Sequence, residues 1–448
     1  MFKKILLTIF LVSNLAISQT HITGEMSPVN NDYKWVILYQ LKGANQIYIS
    51  NVDIIEGQFK IDFHENLPKG MYRLTYDIEK AGFVDFLYNN ENITLTFNPK
   101  FPNESVKYNS SEENKLFNQY VIQSNFTRQK LDSLQLSYFQ SQLANQKAGF
   151  EETYKTVYET YKNQQTHFDE ISEGKLANHF IKSSFKYYAP LIIKTPQEYL
   201  ISEKAHYFDY TNFNDAELRN SIFLSERVID YVFYLNQSDD EQVQNALYKN
   251  AVIEVFQKVG DNNSLISELS TVLMFTFSQI QNTLLTKLIL ESIYKKLPNE
   301  YINEVVISEI QSNMKLALGE IAPDFSWQEN GETIKLSELN TTENYVLVFW
   351  STSCSHCLIE VPQLYEFTKN TKNIKVIAIA LEDNDVGYKI NTANFKNWSN
   401  VLALGKWQND LAKEYKITST PTYFVLDKDK RIVAKPEFYI DVKTFFEN

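Results

Sequence analysis

Cysteine is almost absent from this chain, which has two among 448 residues. A framework of several disulfides, of the kind that holds small secreted domains together, is therefore excluded. Glycine and proline are also scarce, at 12 and 11 residues, whereas tyrosine and phenylalanine number 28 and 30. Such a composition argues against disorder, because the aromatic side chains can fill sizeable apolar cores. The length predicts two or three domains.

Basic residues are outnumbered by acidic ones. The chain has 43 Lys and Arg against 55 Asp and Glu, which gives a formal net charge of −12. An excess of negative charge is repelled by a phosphate backbone and by anionic lipid. We therefore predict that the protein binds no nucleic acid and does not rest on an anionic membrane surface.

The N-terminus has the pattern of a secretory signal peptide. Lys3 and Lys4 precede a short apolar run over residues 5–15, and Ala16-Ile17-Ser18 places small residues just before Gln19. The run is short for a membrane span, which needs about 20 residues, so we predict that residues 1–18 are cleaved. No cysteine follows the run, which excludes a lipoprotein anchor. The sequence thus predicts an exported, periplasmic protein.

The spacing of apolar residues changes twice along the chain. Residues 19–108 alternate apolar and polar side chains between turn residues, which predicts an N-terminal antiparallel β-sandwich. Residues 109–317 repeat apolar side chains at helical spacing, which predicts a central all-α region. Residues 318–448 alternate strands and helices, with a buried strand at residues 345–350 and a hairpin after Pro421, which predicts an α/β sheet covered by helices. The first two regions carry no catalytic constellation, and we assign to them only substrate selection or homodimer formation.

The two cysteines lie side by side in Cys354-Ser355-His356-Cys357, between an apolar strand and a helical pattern. A structural disulfide usually closes a long loop, because its stabilisation grows with loop length. A Cys-x-x-Cys pair closes almost no loop, so it suits a redox couple better. The alternatives, structural thiols or half of a zinc site, need further ligands, and only His356 lies nearby in the sequence. We predict no metal and no cofactor.

The position of the pair assigns a different role to each thiol. Cys354 falls at the N-terminus of the predicted helix, where free backbone N–H groups and the helix dipole stabilise a thiolate. A thiolate is the attacking species in disulfide exchange, so Cys354 is the predicted nucleophile. Cys357 lies one turn further along, and we predict that it is more buried and resolves the mixed disulfide.

Residues 318–448 combine the cysteine pair with four further motifs, namely Ala322-Pro323-Asp324-Phe325, Val348-Phe349-Trp350, Glu360 with Pro362, and Thr420-Pro421-Thr422. In this order the motifs resemble the TlpA/ResA-like branch of the thioredoxin family. The N-terminal region more weakly resembles the β-rich domain of unknown function found ahead of some exported thioredoxin-like proteins. The resemblance implies a thioredoxin fold that exchanges disulfides of envelope proteins, such as apocytochrome c. It also implies a membrane electron donor that re-reduces the couple.

The resemblance implies further site residues. Glu360 matches an acidic residue that relays the proton of Cys357, although it could instead be a surface carboxylate. Pro421 matches the cis-proline that faces the disulfide and leaves the backbone of Thr420 free to pair with an extended substrate. The alternative is an ordinary trans proline at a strand start. Trp350 either shields the couple or packs in the core.

His356 departs from the branch, whose reductases often carry proline at this position. A histidine there favours the Cys354 thiolate and makes the couple more oxidising, or it is a tolerated loop residue. The leading prediction is a periplasmic reductase of protein disulfides. The alternatives are an oxidase or isomerase of the same fold, or a binding scaffold with a redox-sensor domain. A peroxidase is disfavoured, because Leu347 stands where its motif needs proline. Residues 438–448 are short for the closing helix of this fold.

Overall fold

The computed structural model describes residues 20–63, 67–371 and 373–447. The predicted signal peptide, residues 1–18, lies outside the described residues. Across the three described ranges, every helix is too short or too polar to cross a membrane. The chain divides into two compact units, the first ending at Leu269 and the second beginning at Ser270. The domain boundaries predicted after residues 108 and 317 divide the chain into more parts than these two units, and they stay predictions.

The first unit opens with strands, because alternating apolar residues give each strand one face for a core. The strands are β1 (His21–Met26), β2 (Trp35–Lys42), β3 (Asn45–Asp53), β4 (Gln58–Asp62), β5 (Gly70–Asp77), β6 (Gly82–Tyr88), β7 (Ile93–Phe97) and β8 (Lys107–Tyr108). They form two four-stranded sheets, in the orders β4-β1-β7-β8 and β3-β2-β5-β6. One apolar cluster includes Ile22 from the first sheet and Leu38 and Tyr72 from the second.

The strand pairing corrects one detail of the prediction. β1 runs parallel to β7, with Ile22 opposite Ile93, whereas the other pairs in these two sheets are antiparallel. The β-rich character of the N-terminal region is therefore confirmed, but the expectation that all of its strands pair antiparallel is wrong. β1 and β7 are far apart in the sequence, and their parallel pairing needs the intervening strands as a crossover.

The rest of the first unit is helical, as predicted. Its helices are α1 (Pro102–Ser105), α2 (Glu112–Gln140), α3 (Ala144–Ser172), α4 (Leu176–Ser183), α5 (Pro196–His206), α6 (Phe223–Ile229) and α7 (Glu241–Val259), and α8 (Asn263–Gln279) contains the division between the units. α2 begins where the Ser111 hydroxyl accepts a hydrogen bond from the Asn114 backbone N–H, a typical N-cap. α2 and α3 pack as a long hairpin around Leu131, Tyr154 and Tyr161.

The second unit continues with two helices and then alternates strands with helices. Its further elements are α9 (Thr283–Ser292), α10 (Glu304–Lys315), β9 (Ser326–Glu329), β10 (Glu332–Lys335), β11 (Asn344–Trp350), α11 (Ser355–Thr368), β12 (Ile374–Glu382), α12 (Tyr388–Thr392), β13 (Ser399–Leu404), α13 (Asp410–Glu414), β14 (Thr422–Asp427), β15 (Ile432–Ala434) and α14 (Tyr439–Glu447). β9 and β10 form a separate antiparallel pair.

The main sheet of the second unit has five strands in the order β13-β12-β11-β14-β15. The first three strands are parallel, and β14 and β15 form the predicted antiparallel hairpin. Leu347 faces one apolar cluster and Val348 faces the other, which is why β11 is a continuous apolar run. Because β11 is the central strand, the segment that follows it, with both cysteines, lies at the middle of one sheet edge.

The C-terminal segment forms the closing helix of the fold, although its short length had predicted otherwise. α14 packs against α11, and Val442 is completely buried in the apolar cluster that also contains Cys357. The expectation that residues 438–448 are too short was wrong, since the nine residues of α14 are enough to cover this part of the sheet.

Candidate active site

The nucleophile predicted from the sequence caps the helix that follows it. Cys354 is the N-cap of α11, and its Sγ accepts a hydrogen bond from the backbone N–H of Cys357 at 3.2 Å. A sulfur in this position receives one of the backbone N–H groups that a helix N-terminus leaves without a partner. Cys354 is partly exposed, whereas Cys357 is completely buried, as predicted, and both are free thiols.

The surroundings of Cys354 favour its thiolate. Burial by itself would raise the pKa of Cys354, yet the pKa lies below its ordinary value because hydrogen bonds outweigh that effect. They come from the Cys357 thiol, from the Thr420 side chain, and from the backbone N–H groups of Cys357 and His356. Each of these donors stabilises the negative sulfur, so Cys354 is the better nucleophile of the two.

The surroundings of Cys357 have the opposite effect. Burial raises the pKa of Cys357 to about 12, and its hydrogen bond to Cys354 acts in the same direction. The thiol lies among apolar side chains that include Trp350 and Val361. Cys357 therefore stays protonated near neutral pH until a base removes its proton.

The loop before β14 lies directly against the nucleophile. The Thr420–Pro421 peptide bond is cis, which confirms the prediction for this proline. The Cys354 thiol donates a hydrogen bond to the carbonyl oxygen of Thr420 at 3.2 Å. A thiolate cannot make this bond, so ionisation of Cys354 frees the Thr420 carbonyl as an acceptor. The structure thus brings Cys354, Thr420 and Pro421 together.

Glu360 is part of a hydrogen-bond network and not an isolated surface carboxylate. Its Oε2 accepts hydrogen bonds from the Tyr423 hydroxyl at 3.1 Å and from the Tyr439 backbone N–H at 2.9 Å. Burial raises the pKa of Tyr423, and the charges of Glu360, Cys357 and Cys354 raise it further. The Tyr423 phenol therefore lies within electrostatic reach of both the carboxylate and the thiol pair. The predicted proton relay through Glu360 stays a prediction.

His356 and Trp350 lie in contrasting positions. The His356 side chain is exposed, and the contribution that His356 makes to the Cys354 pKa comes from its backbone N–H. Trp350 is buried at the end of β11, where its ring packs edge-on against Phe395 at a centroid distance of 6.0 Å. It shares an apolar cluster with Cys357, so the indole packs in the core beside the resolving thiol.

The sequence reasoning missed three residues that support the site. Tyr423 and Tyr439 hold Glu360, as described above. Glu382, which is buried at the end of β12, accepts a hydrogen bond from the Thr352 backbone N–H at 2.5 Å. Because Thr352 lies two residues before Cys354, Glu382 fixes the loop that leads to the nucleophile. An acidic residue ending an otherwise apolar strand was a signal in the sequence for this role.

Comparisons with known proteins agree with the site. The sequence model of the Redoxin family matches residues 317–437. The thiol-disulfide oxidoreductase ResA of Bacillus thuringiensis is 30% identical over 124 residues, which are 27% of this chain and 70% of that protein. The ResA of Bacillus anthracis matches to the same extent.

Two solved structures give similar matches. A domain of a possible thiol-disulfide isomerase from Cytophaga hutchinsonii is 32% identical, covers 29% of this chain and 90% of its own, and has a TM-score of 0.26. The thioredoxin domain of a thiol-disulfide oxidoreductase from Bacteroides vulgatus is 25% identical, covers 29% of this chain and 97% of its own, and also has a TM-score of 0.26.

The family match spans the cysteine pair and the loop that faces it. Residues 317–437 contain Cys354, Cys357 and cis-Pro421, and they begin one residue before the thioredoxin-like region predicted from the sequence. The resemblance drawn from the motifs is therefore confirmed. The chain belongs to the ResA-like thiol-disulfide oxidoreductases, enzymes with a thioredoxin-like domain that act on protein thiols and disulfides.

Proposed function

We propose that the protein is a periplasmic reductase that reduces disulfides of envelope proteins with the dithiol of Cys354 and Cys357. One observation carries the proposal, namely the contrast between the two thiols. Cys354 is partly exposed and has a lowered pKa, whereas Cys357 is buried and has a raised pKa. Only one thiol is thus available for attack on a substrate, and the other is held in reserve beside it.

The reaction consists of two exchanges. The Cys354 thiolate attacks one sulfur of the substrate disulfide, a Cys354–substrate disulfide forms, and the other substrate sulfur leaves as a thiolate. Cys357 then loses its proton and attacks the Cys354 sulfur. The Cys354–Cys357 disulfide forms and the second substrate sulfur leaves. The substrate gains two electrons and takes up two protons, and the enzyme dithiol loses the same number of each.

The second exchange needs a base, because the Cys357 thiol hardly ionises by itself near neutral pH. Glu360 is the group we assign to this step, with the Tyr423 hydroxyl as the connection between the carboxylate and the thiol pair. A positioned carboxylate that accepts a proton typically accelerates such a step by a factor of about 100 or more.

The oxidised enzyme needs a source of electrons to act again. We propose that a membrane protein with a reactive dithiol supplies two electrons and two protons, which returns Cys354 and Cys357 to the free thiols. This part of the proposal rests on the resemblance and on the predicted signal peptide, which would place the enzyme outside the cytoplasm.

The N-terminal and helical regions fit a supporting role. We propose that the two N-terminal sheets form a sandwich, since their side chains share one apolar cluster. This sandwich, with the helices that follow it, would select substrates or join two copies of the chain as a homodimer.

An oxidase or isomerase is the second candidate. The lowered pKa of Cys354 favours it, because a stabilised thiolate stabilises the reduced form and makes the couple more oxidising. The reduction potential of the Cys354–Cys357 couple separates the candidates. A value near about −270 mV supports the reductase, and one near about −120 mV supports the oxidase. Insulin reduction by the mature protein, compared with that by Cys354→Ser, distinguishes either enzyme from a binding scaffold with a redox-sensor domain. Turnover no greater than that of the variant would rule out the enzyme.

A further inference from the structure

A groove of about 490 Å³ adjoins the loop that holds cis-Pro421. Ser419 and Thr422, which flank the Thr420–Pro421 pair, line one side of this groove. The Thr420 carbonyl oxygen, one residue after Ser419, lies 3.2 Å from the Cys354 sulfur, so the loop that borders the groove also contacts the nucleophile. Its volume falls in the range of about 300–1,000 Å³ that is usual for ligand sites.

The other side of the groove comes from outside the thioredoxin-like region. Gln281 follows α8, and Asn313 belongs to α10. A chain that extends from the cis-proline loop would therefore lie between the sheet and these helical residues. This wall belongs to the second unit, and it bounds the groove on the side opposite the cis-proline loop.

Two lysines bring positive charge into the groove. The Lys416 ammonium donates hydrogen bonds to the Asn313 side-chain oxygen and, at 3.2 Å, to the Glu309 backbone carbonyl. The Lys435 ammonium lies 3.3 Å from the Gln281 side-chain oxygen and 5.9 Å from the centre of the Phe424 ring. All of these oxygens are uncharged.

The charges of the two lysines are therefore poorly compensated. Within the described residues, no carboxylate oxygen lies within ion-pair distance of either ammonium. Glu437 also lines the groove. Burial lowers the pKa of Lys416, and this effect is larger than the opposing effect of the Glu309 charge. Burial likewise lowers the pKa of Lys435. A carboxylate of a bound substrate could form the charge-assisted hydrogen bonds that the two ammonium groups do not make with the residues described above.

We propose that this groove binds the segment of the substrate polypeptide next to its disulfide cysteine, and that Lys416 and Lys435 select substrates with acidic side chains there. The inference rests on the proposed function, because the occupant is the polypeptide that Cys354 attacks. Two observations identify this occupant: the cis-proline loop both borders the groove and contacts Cys354, and the two amines bring positive charge to it.

The test compares two peptides of identical length, each with one cysteine held as a mixed disulfide with thionitrobenzoate. One peptide carries glutamate at the residues flanking the cysteine, and the other carries glutamine. When reduced enzyme attacks the peptide sulfur, thionitrobenzoate leaves and its absorbance reports the rate. Each reduced enzyme reacts once, and we expect the second-order rate constant to be about five-fold higher for the glutamate peptide at low salt, the size of two exposed charge contacts. At about 0.5 M NaCl the ratio should approach one, because salt screens these contacts.

Variants identify the source of the preference. The double variant Lys416→Gln/Lys435→Gln should bring the glutamate-to-glutamine ratio close to one. Lys413→Gln, an exposed lysine on α13, is the matched control and should keep the wild-type ratio. If the double variant does not fold, Lys435→Gln alone should remove part of the preference, since the Lys435 ammonium contacts the Gln281 side chain and the Phe424 ring and joins no ion pair within the described residues.

The outcomes separate this inference from the proposed function. Equal rates for the two peptides, or a preference that survives in the double variant, overturn the inference and leave the enzyme intact. A second-order rate constant that falls as enzyme concentration rises would show that a second copy of the chain fills the groove, and this result would also overturn the inference. Failure to react with either peptide and with hydroxyethyl disulfide would instead overturn the proposed function.

Discussion

Replacing His356 by proline should raise the pKa of Cys354, whereas replacing it by alanine should not. The reason is that the contribution of His356 comes from its backbone N–H, one of the donors that hold the Cys354 sulfur. Alanine keeps this N–H, and proline removes it. Position 356 lies in the first turn of α11, where proline is compatible with a helix.

The size of the effect follows from the loss of one hydrogen bond to a charged acceptor. Such a bond contributes about 1.5 kcal/mol or more. Since one pKa unit corresponds to about 1.4 kcal/mol, the pKa of Cys354 should rise by up to about one unit in His356→Pro; this is an upper bound because the His356 N–H makes the smallest of the hydrogen-bond contributions. The reduced form loses the same stabilisation to the extent that Cys354 is ionised, so the potential should become more negative by up to about 30 mV.

Thiolate absorbance at 240 nm, followed from acid to alkaline pH, measures the pKa directly. Cys357 does not interfere at neutral pH, because its own pKa is about 12. Cys354→Ser supplies the baseline, and equilibration with a glutathione buffer gives the potential of each variant. If His356→Ala raises the pKa as much as His356→Pro, the imidazole and not the backbone N–H is responsible, and the reasoning is refuted.

Four further predictions concern the groups behind the nucleophile. In the folded, reduced protein Cys357 should resist iodoacetamide at pH 7, because a pKa of about 12 leaves about one thiol in 10⁵ ionised; mass spectrometry should find label there only after unfolding. Glu360→Gln should slow the second exchange about 10- to 100-fold and accumulate the mixed disulfide on non-reducing gels, with exposed Glu366→Gln as control. Glu382→Ala should lower the free energy of unfolding in urea by about 1–3 kcal/mol, since the Thr352 N–H loses its buried acceptor, and Glu382→Gln should lose less. Because the pKa of Cys357 is raised by folding, the thiol ionises at lower pH in the unfolded chain than in the folded protein. The stability that the protonated Cys357 contributes is therefore fully present below about pH 8.5 and is lost as the pH rises towards 12. By pH 10 the free energy of unfolding of the reduced protein should fall by about 2 kcal/mol relative to Cys357→Ala, and equal pH profiles of the two proteins would contradict this.

The parts of the fold with strong local signals could be predicted from the sequence. The apolar run predicted at residues 345–350 is β11, and it starts at Asn344. The predicted hairpin after Pro421 is β14 with β15. Both patterns depend on neighbouring residues, so a sequence contains them directly.

Elements whose stability depends on distant partners were missed. β13 has alternate buried residues at Ser399, Val401 and Ala403, a pattern too short and too weakly apolar to mark a strand. It forms because β12 offers it a ladder of hydrogen bonds from Ile377 to Glu382. Pairing of this kind depends on the position of the neighbouring strand, which local periodicity does not contain.

The same limit applies to the site. The sequence predicted that Cys354, Cys357 and Glu360 lie along one helix, because they follow one another at intervals of three residues in a helical pattern. The partners of Glu360 come from β14 and from the N-terminus of α14, and Tyr439 is 79 residues away in the chain. No spacing rule brings these groups together, so only the packed structure shows that the carboxylate is held from two sides.

The structure separates the question of proton transfer from that of electron direction. Cys357 must lose a proton when the enzyme reduces a substrate and must gain one when the enzyme oxidises a substrate, so the group at Glu360 can serve both reactions. Direction depends instead on how strongly the reduced form is stabilised, and this is set by the donors around the Cys354 sulfur. One of these donors is the N–H at position 356, which any residue except proline provides. We therefore expect the departure from proline at this position to act through the backbone N–H, which the comparison of His356→Ala with His356→Pro tests.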